Sequence, residues 1–197
     1  MTGLPRTSEL KENYQLTNNK MAIPTDAVIP RNSAQFFKAE EGKNRVRILS
    51  DIVVGWEGWK NNKPFRHEGN VCQIKPEQVD LNQSGLPNIN YFWAMVIWNY
   101  AEKKLQIWEI TQKTIMGVLK DLEDNSDWGD LKGYDIEVNK SKVGDKTTYT
   151  TLSIPPKPVA PEIADLYAKT EIDLKKLFAG EYPIEYPASI DPADVAF

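Results

Sequence analysis

Five strand-like segments, arranged as one long strand and two hairpins with a single helical stretch between the third and fourth, predict a mainly β protein. That order is the one expected of a five-stranded OB-type barrel. A β-grasp or another small barrel shares part of it, and the position of the helix favours the OB plan.

The elements follow in chain order. Residues 1–32 are polar and Asn-rich, with Pro5, Pro24 and Pro30, and read as a flexible N-terminal arm. Asn44 to Trp56 alternates, with Val46, Ile48, Ile52, Val54 and Trp56 on one parity and Arg45 and Arg47 on the other. This is a half-buried strand long enough to curve, interrupted near its end by Gly55 and Gly58. Residues 60–90, with Pro64, Pro76 and Pro87, read as a long polar connection. Tyr91 to Tyr100 is dense in aromatic and β-branched residues, and Lys104 to Thr111 follows closely enough to form a hairpin with it.

Thr111 is the expected N-cap of a helix whose apolar stripe is Ile115, Val118, Leu119 and Leu122. Tyr134 to Asn139 and Thr147 to Ile154 make the second hairpin, joined by the basic loop Lys140 to Lys146. After Pro155 and Pro156, a C-terminal helix is expected from about Ala160 to Phe178, interruptible near Thr170 and stopped by Gly180. The domains are therefore an arm over 1–32, a barrel over 33–158, a helix over 159–180 and an acidic disordered tail over 181–197.

Composition narrows the function. The chain has 197 residues, 41% hydrophobic and 26% charged, enough for one core with appendages. It contains no apolar run of membrane-spanning length and no secretory signal, so a soluble cytoplasmic protein is expected. One cysteine, Cys72, and one histidine, His67, exclude an internal disulfide and a Cys/His zinc site. No cofactor is implied. The net charge of −4 is unevenly spread. Residues 160–197 hold eight acids and three bases, a net −5, whereas the rest holds 21 bases and 20 acids, a net +1. Residues 31–75 alone carry nine bases against five acids.

Basic and aromatic residues interleave where an OB barrel holds oligonucleotides, on the face of strands 2 and 3 and in the loops joining strands 1–2 and 4–5. The first strand and the connection after it supply Arg45, Arg47, Trp56, Trp59, Lys60, Lys63, Phe65, Arg66 and His67. The second strand supplies Trp93, and the second hairpin Lys140, Lys142 and Lys146. Rings stack on bases and cations neutralise phosphates, a combination that need not select sequence. Each residue also has a plainer use. Trp93 and Trp98 lie in a strand apolar on both faces, where tryptophans are commonly core. Lys60, Lys63 and Arg66 are solvated in a loop whatever the function, and lysines protect edge hairpins from aggregation. The acidic tip with Asp191, Asp194 and Phe197 suits a basic pocket on a partner, or competes with DNA for a basic groove.

The runs EGKNRVRILSDIVVGWEGW, KPFRH, FWAMVIWNY, QIWEITQKTI and DWGDLKGYDIEV, in that order over about residues 36–158, resemble the single-stranded DNA-binding proteins of tailed bacteriophages. The resemblance implies an OB fold, strand protection in DNA replication and recombination inside an infected bacterial host, and a tail that recruits phage or host replication proteins. Phe197 is similar to the phenylalanine that ends the acidic tails of several members. A more distant T-even relative carries a zinc site. This chain has no matching Cys/His cluster, so no metal is expected.

No nucleotide-binding, metalloprotease or hydrolase motif is present. The carboxylate pairs Glu123/Asp124 and Asp127/Asp130 read as solvated caps, and the chain is not expected to be an enzyme. Two other readings stay open. One is a peptide-binding OB module, which salt dependence would discriminate. The other is RNA binding, which composition does not separate from DNA binding.

Overall fold

The computed structural model describes residues 35–185. Asp191, Asp194 and Phe197 lie outside them, as does the arm over 1–32. Within the described residues the chain is mainly β, built on one large antiparallel sheet that does not close.

The long first strand becomes two, β1 (Gly42–Ile48) and β2 (Val53–Lys60), because Leu49 to Ile52 leave the ladder. Both pair with the same edge of the 11-residue β4 (Ile89–Asn99). Ile48 pairs with Ile97 and Val53 with Ala94, so residues 49–52 bulge opposite only Met95 and Val96. Ser50 Oγ accepts the Val96 N–H at 2.9 Å and Leu49 donates to the Val96 carbonyl, which fixes the bend.

The expectation of an unstructured connection over 60–90 fails at its start. Lys63–Glu68 (β3) pairs with β2 through a two-residue turn, Asn61 and Asn62, at φ 50° and 60°. Two successive positive φ values make the turn geometry suited to hairpins, and asparagine tolerates them. Pro64 is accommodated because β3 is an edge strand.

Lys104–Ile110 (β5) lies on the other edge of β4. The helix follows as α1 (Lys113–Glu123), with Gln112 rather than Thr111 at its N-cap and no side-chain cap. The second hairpin is Asp135–Val143 (β6) and Lys146–Ser153 (β7), so the expected loop shrinks to Gly144 and Asp145. The strand order is β3-β2-β4-β1-β6-β7, and β5 and β7 are not paired with each other.

The single C-terminal helix is also corrected. Pro161–Lys169 (α2) ends where Thr170 turns its hydroxyl back to the Leu166 carbonyl at 2.7 Å. Glu171–Ile172 (β8), Lys176–Ala179 (α3) and Ile184–Glu185 (β9) follow, β8 pairing with β9 and Gly180 closing α3 at φ 74°. The expectation of disorder from 181 fails over residues 181–185, where Ile184 is buried, and the remainder of the expected tail lies outside the described residues.

Both faces of β4 are apolar because both are covered. On one side Met95 and Ile97 pack with Trp108, Tyr134 and Ile136 beneath Ile115 and Leu119 of α1. On the other, Phe92, Val96 and Trp98 pack with Leu105 and Ile107 beneath Leu166, Leu174, Leu177 and Ile184. Gly55 marks this second packing. A Cβ there would lie 2.5 Å from the His67 carbonyl oxygen and 2.7 Å from the Phe178 ring. Gly55→Ala should therefore destabilise the protein by roughly 1–3 kcal/mol, the usual cost of overpacking. The check is a lower urea midpoint at unchanged m; an unchanged midpoint would show that both the His67 carbonyl and the Phe178 ring can give way.

Candidate nucleic-acid interface

Cross-strand partners share a face, so register decides which candidate residues meet. Val54 is opposite Trp93, and Trp56 is flanked by Tyr91 on one side and His67 on the other. Gly58 is opposite Phe65. One face of β2, β3 and β4 thus carries Trp56, Phe65, His67, Tyr91 and Trp93, an extension of the α1-side core beyond the helix. All five are half-buried.

Local contacts fix these rings. Trp56 and Tyr91 meet at 5.2 Å between centroids, tilted by 55°. Asn70 holds both: its carbonyl accepts the Trp56 indole N–H at 3.1 Å and its Oδ1 accepts the Tyr91 hydroxyl at 2.6 Å. Phe65 meets His67 edge-on at 6.5 Å. Phe65 also converges with Val79 and Ile74 over Gly58, so the loop after β3 covers that end of the face. The exposed remainder centres on Trp56, Tyr91 and Trp93.

It opens on a cleft of about 660 Å³ whose floor includes Ile52, Val54, Tyr91 and Trp93. The Trp93 indole N–H is buried and has no acceptor among the described residues. Such a group costs the free protein roughly 1–3 kcal/mol. The cleft rim is acidic, with Asp51, Glu123, Asp124 and Asp130 against Lys120 and Lys132. Most of these charges are engaged. Lys120 bonds Asp124 at 2.9 Å, and Glu123 accepts the Leu131 N–H at 3.0 Å. Lys132 bonds Asp51 at 2.6 Å, which holds that carboxyl below its ordinary range and raises the ammonium.

Lys60 and Lys63 are exposed at the tip of the β2–β3 hairpin, with Asp80 4.0 Å from Lys60. The other candidates lie elsewhere. Trp59 and Arg66 fall on the opposite face of the hairpin. Arg66 is largely withdrawn from solvent: its side chain is 10% exposed, and its guanidinium lies 2.7 Å from Glu109, 3.7 Å from Glu57 and over the Phe92 ring. Burial raises the Glu109 carboxyl, with Arg66 opposing and Glu57 adding to the shift. Trp98 is buried beneath the C-terminal segment.

Arg47 is likewise withdrawn. It is 1% exposed, with Nε 2.5 Å from Asp135, and Arg45 meets the same carboxylate at 2.5 Å. Alternation had placed both on a wet face; the buried Asp135, directly opposite Arg47 on β6, draws them in. Burial pushes the Asp135 carboxyl up, but the hydrogen bonds from Arg45, Arg47 and Tyr100 outweigh it and hold it below the usual range.

Lys140 is half-buried, its ammonium donating to the Ala39 carbonyl, while Lys142 and Lys146 are exposed on the β6–β7 hairpin. Lys140 pairs with Gly42 at the start of β1, across the bend from the aromatic face. Sequence reasoning missed Tyr91 and Asn70. Tyr91 was readable from its parity with Trp93, whereas nothing local marks Asn70.

Among the described residues, no group of three or more His, Cys, Asp or Glu is placed to hold a metal ion, and no helix is long and apolar enough to cross a membrane. Compared with protein families, curated proteins and solved structures, the chain matches none of them.

Proposed function

We propose that this protein binds single-stranded DNA without sequence preference, on an OB-type barrel, with bases laid against Trp56, Tyr91 and Trp93. The observation that carries the reading is the convergence of these three half-exposed rings on one sheet face beside an open cleft. Every base has a π-face, and each stacked base contributes about 1–3 kcal/mol. Lys60 and Lys63 at the hairpin tip supply phosphate contacts.

The barrel assignment draws on topology. β1 and β2 act as one bent strand along β4, the α1 helix sits between the hairpins, and β1 pairs with both β4 and β6. The acidic tail and the phage-like segments extend the reading to strand protection in phage replication and recombination, with replication proteins as tail partners. The reading assigns binding and no catalytic step.

The acidic cleft rim favours a second reading, a basic peptide as ligand. Anisotropy of a labelled oligothymidylate separates the two. Strand binding should fall about tenfold between about 50 and 200 mM salt, as about two or three phosphate contacts require, and exceed binding to a duplex of equal length. No strand binding at the lower salt would overturn the proposal.

A further inference from the structure

A second pocket, about 360 Å³, lies between Gly133 and the Pro156–Val159 stretch. Its lining carries Arg47, Lys132 and Lys157 and no carboxylate. Arg47 forms part of the wall, its guanidinium bonded to the carbonyls of Lys132 and Lys157 at 3.4 and 3.1 Å.

Local charges do not balance there. Asp135 is the carboxylate for three cations: Arg45 and Arg47 at 2.5 Å, and Lys157 at 3.5 Å. Asp135 is fully buried, whereas the Arg45 and Lys157 side chains are 39% and 49% exposed. Both cations lie over the Tyr100 ring, at 5.0 and 5.9 Å. The cluster therefore presents net positive charge outward. Nearby Glu137 is occupied by Lys43 at 3.0 Å. Lys132 is compensated by Asp51 and by Asp130 at 3.7 Å.

Position decides what this charge is for. Lys132 lines both the aromatic cleft and the cationic pocket, so it forms the divide between them. A strand whose bases lie on Trp93 meets, across Lys132, a cleft lined by cations and by no carboxylate.

We infer that the pocket walled by Lys157 and Arg47 receives a backbone phosphate of the strand held in the aromatic cleft, and that Asp51 restrains Lys132 from the same phosphate. This rests on the single-strand reading above. Lys157 contributes an exposed, partly uncompensated ammonium. Asp51, 93% exposed, competes with the phosphate for Lys132.

The test compares the salt dependence of oligothymidylate binding for wild type, Lys157→Gln, Lys157→Arg and Asp51→Asn, at matched thermal stability. Loss of one phosphate contact should flatten the log–log slope by about 0.7 in Lys157→Gln, and weaken binding several-fold across sequences. Lys157→Arg should restore the slope. Asp51→Asn should tighten binding and steepen it. A Lys157→Gln slope equal to wild type, with binding intact, would overturn the inference and leave the aromatic site standing. Absence of binding by wild type would overturn both.

Discussion

Asp135→Asn should lower the stability of this protein by about 3–5 kcal/mol, the cost of removing one partner from a buried ion pair. The side chain is fully buried at the start of β6, and its two oxygens meet Arg45, Arg47 and the Tyr100 hydroxyl. Asparagine keeps the shape and loses the charge. Arg47, 1% exposed, would then carry an uncompensated cation between sheet and C-terminal segment. For a domain of this size the melting temperature should fall by roughly 6–20 °C. Arg45→Gln should cost about 1 kcal/mol or less, because that guanidinium is partly solvated.

The pH dependence has a definite sign. The folded-state pKa of Asp135 lies below its ordinary value of 3.8, so its stabilisation is complete above that value and is lost as pH falls through the folded pKa. The gap between wild type and Asp135→Asn should therefore close in acid, below about pH 4. Glu109 acts oppositely. Burial raises its pKa, so its ionisation weakens the fold as pH rises through the folded value and is relieved below the unfolded one. Urea unfolding at several pH values checks both. A loss under 1 kcal/mol for Asp135→Asn at neutral pH would show that the two arginines do not depend on this carboxylate.

Trp56→Leu combined with Trp93→Leu should reduce single-strand affinity sharply. Each ring removed forfeits about 1–3 kcal/mol of stacking, so each change should weaken binding roughly 5- to 150-fold. Leucine keeps an apolar side chain against Tyr91 and the α1-side core while removing the π-face. No charge is altered, so the salt slope should stay the same. Trp98→Leu is the matching control. That ring lies beneath α2 and α3, so its loss should lower stability and leave affinity unchanged.

The strands β4, β5, β6 and β7 were legible in the sequence because aromatic and β-branched runs bounded by turn residues specify them locally. The β2–β3 hairpin was not. Its turn is Asn61-Asn62 rather than an asparagine–glycine pair, and its second strand contains a proline that only an edge position tolerates. The break in the first strand was also hidden, since Ile52 resumes the parity of Val46 and Ile48 across Ser50, whose hydroxyl holds the bend. Parity along β1 misplaced Arg47 because a carboxylate about ninety residues away, Asp135, reverses the preference of a charged residue for water.

At the site, the kinds of residue were readable and the grouping was not. Trp56, Phe65, His67 and Trp93 share a face only through the register of β2 with both its neighbours. The same register sends Trp59 and Arg66 to the other face. Trp93 and Trp98 could not be ranked by alternation, because the C-terminal segment buries a sheet face that would otherwise be open. The lysines at 132 and 157 carry no pattern of their own; their interest comes from the two clefts they line.

The most direct test of the central claim is intrinsic tryptophan fluorescence during titration with a long oligothymidylate, at low and high salt, with duplex DNA as control. Single-strand quenching that weakens with salt, is absent with duplex, and is largely lost in the Trp56→Leu, Trp93→Leu variant is the predicted result. No quenching at low salt, or quenching that the double variant retains in full, would contradict base stacking on this face.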